Sequence, residues 1–403
     1  MKIAFLIDTL LRAGGGNSAT IAEYKLVRKI VDKDMDIKFI TTSKETKNFL
    51  EKKFNDNIVY FNKKSLLNQI FLLLSQSEFF KILIKKIKIK NTFEKLLNKL
   101  DLDLLIFLAP SDLIFLVNNN NFVYTVWEFQ HKNYPFFPEY KNVYFDINVR
   151  DKTLKLAADK AFNIIVGTEK SKKDFIKYYS CDENKITIRP LKSSIVSTDI
   201  KDDYEFDVIK KLKNKKIDKY LFYPAQYWAH KNHKFIIDAF DQMAEENISN
   251  LTCVFAGSDK GNLNYIKELI NFKNLNDKIC IFEYLSDEEI VSLYKNCYAV
   301  VVPTLVGTIS FPILEGFFFQ KPVICVTDNL DENFKKHVIN LDLQNPKTLE
   351  KALVHIQSNP QEVRSLVSNS KFFFDEMYDD EKLTIELVKI IKKYYQFNQM
   401  WKH

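Results

Sequence analysis

Glycine is scarce, with eight residues in a chain of 403. Three of the eight stand together at Gly14, Gly15 and Gly16, so that cluster carries weight as a place where the backbone approaches something closely. Cysteine is low and odd in number, with five residues at positions 181, 253, 280, 297 and 325. They are scattered, mostly inside apolar runs, with no CxxC and no Cys/His cluster. That excludes a disulfide framework and a zinc site, and it fits reduced core residues of a cytosolic protein. Charge is nearly balanced: 59 basic against 52 acidic residues, net +7. No Lys/Arg block resembles a nucleic-acid arm. No uncharged apolar run approaches the roughly 18 residues of a membrane span. The N-terminal MKIAFLIDTL has too short an apolar run for a signal peptide and reads as a first strand.

What is present suffices for two domains with full cores, at 46% hydrophobic residues. A Lys-, Asn- and Phe-rich composition points to a low-GC bacterial genome. The first half alternates strand-like runs (3–7, 36–41, 57–61, 102–108, 122–127, 161–166, 185–189) with helix-like ones (19–31, 79–100, 151–158, 170–179). A charged Ser/Asp/Lys-rich stretch, about 193–216, follows and predicts an interdomain connection with one helix, anchored by Val208, Ile209 and Leu212. A second alternation begins at 220 and ends in helices over 347–358, 360–373 and 380–395. The pattern predicts two parallel sheets covered by helices and a ligand cleft at their strand C-termini. The expected division is 1–195, a connection at 196–217, 218–378, and a last helix, 379–403, returning to the first domain.

The segment 303–324, PTLVGTISFPILEGFFFQKPVI, is the most telling. A strand ends at Pro303, a loop carries Gly307, Thr308 and Ser310, and Pro312 opens an apolar helix. Such a helix start presents unpaired N–H groups and partial positive charge to a phosphate. Glu315 is too deep to be an N-cap; it could accept two hydrogen bonds from a vicinal diol such as a ribose, or merely complement the helix dipole. Between a strand and a helix lies Tyr223-Pro-Ala-Gln-Tyr-Trp-Ala-His-Lys-Asn-His233. Lys231 at a helix start opposes the dipole unless an anion is shared. His230 and His233 have permissive spacing for a metal, but no third ligand is near, and packing or capping is the alternative. His131 follows a strand end, which gives it either a cleft role or a structural one. Residues 14–16 do not form GxGxxG and no acid ends the second strand, so a dinucleotide fingerprint is unsupported. The loop is either flexible or a phosphate or sugar contact.

Together these segments resemble the group 1 (family 4) glycosyltransferases of the GT-B fold, over nearly the whole chain and most strongly from 220 to 326. The resemblance implies two Rossmann-like domains facing across a cleft, with a nucleotide-sugar donor on the C-terminal domain and the acceptor on the N-terminal one. It gives Glu315 the ribose, and gives the diphosphate to the amides around Thr308, Ile309, Ser310 and Phe311. Lys231 would neutralise the departing diphosphate. Phe282, Glu283 and Tyr284 would frame the base, with Gly257 ending the preceding strand. His131 would stand near the donor sugar, and Gly14–Gly16 would match the N-terminal Gly-rich loop. Two departures stand out. The first glutamate of the family pair falls at Gly307, and the basic residue five positions before the lysine falls at Gln226. No metal or cofactor is implied, because Lys231 and helix-terminal N–H groups take the charge. The implied reaction is transfer of a sugar, with retention, to a saccharide or lipid-linked acceptor in bacterial surface polysaccharide synthesis (capsule or lipopolysaccharide) or glycolipid synthesis. The alternatives are a GT-B nucleotide-sugar epimerase or a catalytically weak binding subunit.

Residues 79–100, FFKILIKKIKIKNTFEKLLNKL, interleave seven lysines with Ile, Leu and Phe. Either a core-facing helix shows a solvated lysine face, or the stretch docks reversibly on the anionic inner face of the cytoplasmic membrane.

Overall fold

Runs such as AVVV at 299–302 are apolar at every position and too short for helices, which suits strands buried on both faces. The computed structural model describes residues 1–9, 15–30, 35–77, 79–80, 82, 86, 90–141, 146–198, 206–244, 246, 250–308 and 310–400. Its first sheet holds Lys2–Ile7 (β1), Asp36–Thr41 (β2), Ile58–Tyr60 (β3), Leu104–Phe107 (β4), Asn121–Thr125 (β5), Asn163–Val166 (β6) and Ile186–Ile188 (β7). Its order is β3-β2-β1-β4-β5-β6-β7, parallel throughout. The second holds Tyr220–Pro224 (β8), Thr252–Ala256 (β9), Ile279–Phe282 (β10), Ala299–Val302 (β11), Val323–Val326 (β12) and Ile339–Leu341 (β13). Its order is β10-β9-β8-β11-β12-β13, again all parallel.

Around the first sheet lie Gly15–Val27 (α1), Lys44–Phe54 (α2), Leu66–Ser75 (α3), Thr92–Leu100 (α4), Ile147–Lys160 (α5) and Glu169–Tyr179 (α6). Asp207–Asn214 (α7) is the connecting helix, seated by buried Val208 and Leu212. The second sheet is covered by His233–Gln242 (α8), Leu263–Phe272 (α9), Asp287–Asn296 (α10), Phe311–Phe318 (α11), Glu332–Lys335 (α12), Lys347–Ser358 (α13) and Pro360–Met377 (α14). The chain closes with Asp380–Asn398 (α15), whose Leu387, Ile390, Ile391 and Tyr394 join Ile3, Phe5, Tyr24 and Leu50 in one core. On the other face of the first sheet, Ala4, Leu6 and Phe107 pack with Leu72, Phe93, Leu154 and Phe175.

Several helices stop and start where their sequences dictate. Ser286 and Glu289 form a capping box at α10. Asn91 caps α4, which buries Phe93 and Leu97 and leaves Lys95 and Lys99 exposed. This end of the 79–100 stretch is therefore a core-facing helix with a solvated lysine face. The stretch before it lies largely outside the described residues. Helices α2 and α3 and strand β13 were not legible as periodic segments. The first helix begins at Gly15, earlier than expected, so Gly15 and Gly16 form its first turn instead of a loop. Gly14 lies outside the described residues. Among the described residues no helix is long and apolar enough to cross a membrane.

Candidate functional site

In both sheets the connections leave in opposite directions at one point, between β1 and β4 and between β8 and β11. A crevice opens beyond the strand ends at such a switch point. In the second sheet the loops after β8 and β11 are tied together there. Leu305 N donates to the His230 carbonyl at 2.9 Å, and Asn232 Nδ2 to the Pro303 carbonyl at 3.3 Å. Tyr223 Oη donates to the Lys231 carbonyl at 2.7 Å. Asn232 adopts a left-handed conformation, φ 54°, and turns the chain from the short 3-10 turn Ala229–Lys231 into α8. Lys231 is thereby fixed at the crevice by its own backbone, two residues ahead of α8.

No carboxylate lies within ion-pair distance of Lys231 among the described residues. Burial pushes its ammonium down to about 8, against the attraction of Glu128 and Glu139. The two histidines beside it diverge. His233 is fully buried against the rings of Tyr223, Tyr227 and Phe255, and burial pushes it down to about 3. His230 turns away to pair through Nδ1 with Glu139 of the first half. The two are not a metal pair, and among the described residues no cluster of three His, Cys, Asp or Glu could hold a metal.

Beside Lys231 the α11 entrance is assembled from 307–311. Gly307 has φ 112°, a conformation that side-chain-bearing residues rarely adopt. The position where the family has glutamate is thus a backbone turn here. Ser310 is the extended residue before α11 and makes no cap hydrogen bond with its side chain, and Pro312 sits in the first turn. Pro312 has no N–H and the Ile313 N–H goes to the Ser310 carbonyl at 3.0 Å, so it is the Phe311 N–H that the α11 start can offer an anion. Thr308 is buried, and Ile309 lies outside the described residues. Phe311, partly buried, packs against the second core.

Glu315 is buried with both carboxylate oxygens engaged. Ser193 Oγ donates to Oε1 at 2.5 Å, and the Tyr294 hydroxyl donates to Oε2. Burial pushes its carboxyl up, and these two hydrogen bonds oppose that. Ser193 Oγ in turn meets Ser18 Oγ of α1 at 2.9 Å. A diol reaching both oxygens of Glu315 must therefore displace Ser193 and Tyr294, and no local pattern announces either partner. Gln226 is held by its neighbours: Nε2 donates to Ser258 Oγ at 3.0 Å, and Oε1 accepts from Trp228 Nε1 at 3.2 Å. A Cβ on Gly257 would fall 2.3 Å from the Ala225 carbonyl oxygen, so only glycine lets β8 and β9 end this close together. Gly257 N donates to the Phe282 carbonyl at 3.0 Å. Glu283 then pairs with Lys267 at 2.5 Å, and Tyr284 is exposed. Gln226, Gly257 and Phe282–Tyr284 thus follow β8, β9 and β10 along one edge, running away from Lys231.

The first half meets this edge with side chains. His131 is buried after β5; its Nε2 lies 3.4 Å from Asp151 Oδ1 and its Nδ1 has no partner. Burial, then the Arg150 charge, holds it below the usual histidine range, so it is neutral at neutral pH. Asp151 also takes Lys132 at 2.5 Å and the Tyr179 hydroxyl at 2.7 Å. Glu128 pairs with Arg150 and accepts from Gln130 N at 2.7 Å. At the end of β1, Asp8 accepts from Lys63 and Ser111 at 2.6 Å each, and Lys63 also reaches Asp112 at 2.6 Å.

The halves touch directly across the cleft. Ser171 Oγ and Thr308 Oγ1 are 3.0 Å apart, and Lys170 N donates to Asp331 Oδ2 at 3.0 Å. Asn329 Nδ2 donates to the Tyr134 hydroxyl at 3.1 Å. Sequence reasoning missed Asp8, Lys63, Glu139, Ser171, Ser193 and Asp331. Of these, Asp8 alone carried a signal, as an acid at the end of a buried strand.

A lysine and a helix start at one switch point, under a second sheet, suit a ligand with a diphosphate. The family model for Glycosyl transferases group 1 matches residues 205–373. That stretch matches a group 1 glycosyltransferase domain, and the two-sheet frame is that of the GT-B fold. The match covers the connecting helix and the whole second sheet, and so includes Lys231 and Glu315. No curated protein matches the chain by sequence. Solved structures do match it. Alr3699/HepE of Anabaena in complex with UDP superposes with a TM-score of 0.72 at 14% identity, over 98% of this chain and 100% of that one. A glycosyltransferase from Rickettsia africae gives 0.69 at 15% identity, over 98% of each chain. A putative UDP-N-acetylglucosamine 2-epimerase from Listeria monocytogenes gives 0.63 at 13%, over 98% and 96%. At such identities the likeness establishes the two-sheet frame alone, and says nothing of which sugar moves.

Proposed function

We propose that the chain transfers a sugar from a nucleotide-sugar donor to a saccharide or lipid-linked acceptor, in cytoplasmic synthesis of a bacterial surface polysaccharide or glycolipid. The observation that carries this reading is Lys231, fixed by its backbone at the β8/β11 switch point beside the open α11 start. Chemistry at that place needs negative charge stabilised on a departing nucleoside diphosphate. An ammonium and helix-terminal N–H groups supply this without a metal. Alr3699/HepE, which shares the frame, is solved with UDP, with UDP-glucose, and with UDP and glucose. That favours a uridine donor. Retention of configuration belongs to this reading because the family resemblance implies it, and position 307 offers the sugar no carboxylate. His131 then orients the sugar, Glu315 takes the ribose once Ser193 and Tyr294 yield, and Phe282–Tyr284 border the base. A peripheral contact between the basic 79–100 stretch and an anionic membrane would bring the enzyme to a lipid-linked acceptor.

A thermal-shift screen with UDP, GDP, ADP and their sugars tests the donor, since a ligand bound only by the folded state raises the melting temperature. Stabilisation by one nucleotide together with turnover of its sugar is expected. Donor turnover unchanged in both Lys231→Ala and Glu315→Ala would remove the site assignment. Stabilisation without turnover across a panel of acceptors would favour the binding-subunit alternative, for which the turn at Gly307 speaks.

A further inference from the structure

Helix α3 is built with two unlike faces. Asn68, Leu72 and Ser75 turn inward, and Leu72 joins the first core. The opposite stripe, at the i, i+4, i+7 spacing of one helix face, is Leu66, Ile70 and Leu73, with Leu67 beside it. Leu66 is 78% exposed and Leu73 is 69% exposed. The same character continues past the helix, where Phe79 is 71% and Ile82 is 57% exposed. A soluble surface seldom shows so many large apolar side chains together without an occupant. Helix α3 itself carries no charged residue, but its flanks do: Lys64 precedes it, and Lys86 and Lys90 follow, all exposed.

Charge selects the occupant. Residues 62–91 contain seven lysines and one glutamate, so this span holds +6 of the net +7 of the whole chain. The remaining 373 residues are almost neutral. A second copy seated on the same face would bring two such basic spans together, which is unfavourable. A lipid surface with anionic headgroups suits both features, taking the leucines into its interfacial layer and the lysines at its phosphates. The face is also placed well for an acceptor. Helix α3 lies against the turn Asp112–Leu116, whose cap Ser111 and first residue Asp112 close the Asp8–Lys63 cluster at the strand ends of the first sheet.

We propose that the exposed face of α3, together with the lysines flanking it, is an interfacial docking surface for an anionic lipid bilayer. It deepens the reading of a lipid-linked acceptor and moves the centre of the contact from 79–100 as a whole to α3 and the exposed residues just after it. Docking is measured without donor or acceptor, so its failure would leave the transfer reaction untouched, and failure of transfer would leave docking untouched.

The test is co-sedimentation of the full chain with vesicles of phosphatidylcholine alone and of phosphatidylcholine with about a third phosphatidylglycerol. Binding to the anionic vesicles, weakened by salt, is expected. Leu66→Ser with Leu73→Ser should reduce it at least about tenfold, because each leucine loses its transfer from water. Lys86→Gln and Lys90→Gln should each reduce it about fivefold. Both leucines are exposed, so melting temperature and donor turnover should be unchanged in the serine variant. If the double variant is unstable, Leu73→Ser alone serves. No preference for anionic vesicles, or equal sedimentation of wild type and serine variants, overturns the proposal. A concentration-dependent dimer in ultracentrifugation that the serine substitutions abolish would also overturn it, by assigning the face to a second copy.

Discussion

The two sheets share a plan and differ in where they keep their polar groups. The second sheet sits in one continuous apolar core, and its buried histidines, His233 and His337, pack against aromatic rings. The first sheet is divided into two cores and is stitched by buried or half-buried ions: Arg189 to Glu23, Lys63 to Asp8 and Asp112, Arg150 to Glu128. On the proposed function, the difference follows from what each edge has to do. A nucleoside diphosphate can be held largely by backbone N–H groups and one cation, so the second sheet needs few polar side chains. Acceptor chemistry needs shaped side chains on loops, and those must be braced from behind.

The contrast is broken most severely at Arg189. It is fully buried, donates from Nε to the Leu383 carbonyl at 2.8 Å, and pairs with Glu23, so one side chain ties the end of β7 to α1 and α15. Arg189→Met should destabilise by about 3–5 kcal/mol, because it strands a buried carboxylate. Chemical denaturation measures this, and a loss near zero would mean that the ions do not hold the first half. The matching change on the second sheet is functional. Lys231→Ala should leave folding intact and lower donor turnover on the order of a hundredfold to a thousandfold, about 2.7–4 kcal/mol. Lys231 titrates near 8 in the free protein, so its charge is present below that pH and lost as pH rises through it. Donor KM should therefore climb above about pH 8 in the wild type and stay flat in Lys231→Arg, whose guanidinium does not titrate there.

Legibility in the sequence divides along the same line. Residues that act through backbone geometry were readable: Pro312 at a helix start, the start of α10 at 285–290, the all-apolar runs of β10 to β12. Lys231 was readable because a cation before a helix is locally unfavourable and asks for a reason. Residues that act through a partner far along the chain were not. Ser193 meets Glu315 across 122 positions, and Glu139 meets His230 across 91. No periodicity or spacing encodes such pairs, since they exist only once the two sheets face each other. The longer helices missed, α2 and α3, lie on the first sheet, while the second hid only the short α12 and β13. Helix α3 escaped because its outward face is as apolar as its inward one, which erases the alternation that marks a surface helix.

The smaller tests probe the second sheet, where stability should come from packing and local caps. His233 titrates at about 3 when folded and near the ordinary 6.5 when unfolded. As pH falls below about 6.5 the unfolded chain takes up this proton first, so stability present above that pH is progressively lost. By pH 5 the loss is about 2 kcal/mol. His233→Phe should keep the ring packing and remove that part of the difference between unfolding free energies at pH 7 and pH 5. An unchanged difference would mean that His233 is not sealed among Tyr223, Tyr227 and Phe255.

Smallest is the cap of α10. Ser286 Oγ accepts from Glu289 N at 3.2 Å, and Glu289 returns to Ser286 N at 2.9 Å. Ser286→Ala removes the first and leaves the second, at a cost of about 1 kcal/mol. Because α10 carries Tyr294, which holds Glu315, the same substitution asks whether fraying at one end reaches the candidate ribose site two turns on. A stability loss with unchanged donor KM would show the cap acting locally, as the single apolar core of this half implies. A KM that rises with it would mean that the second sheet, too, braces its site from a distance, and the contrast between the halves would narrow to the kind of brace used.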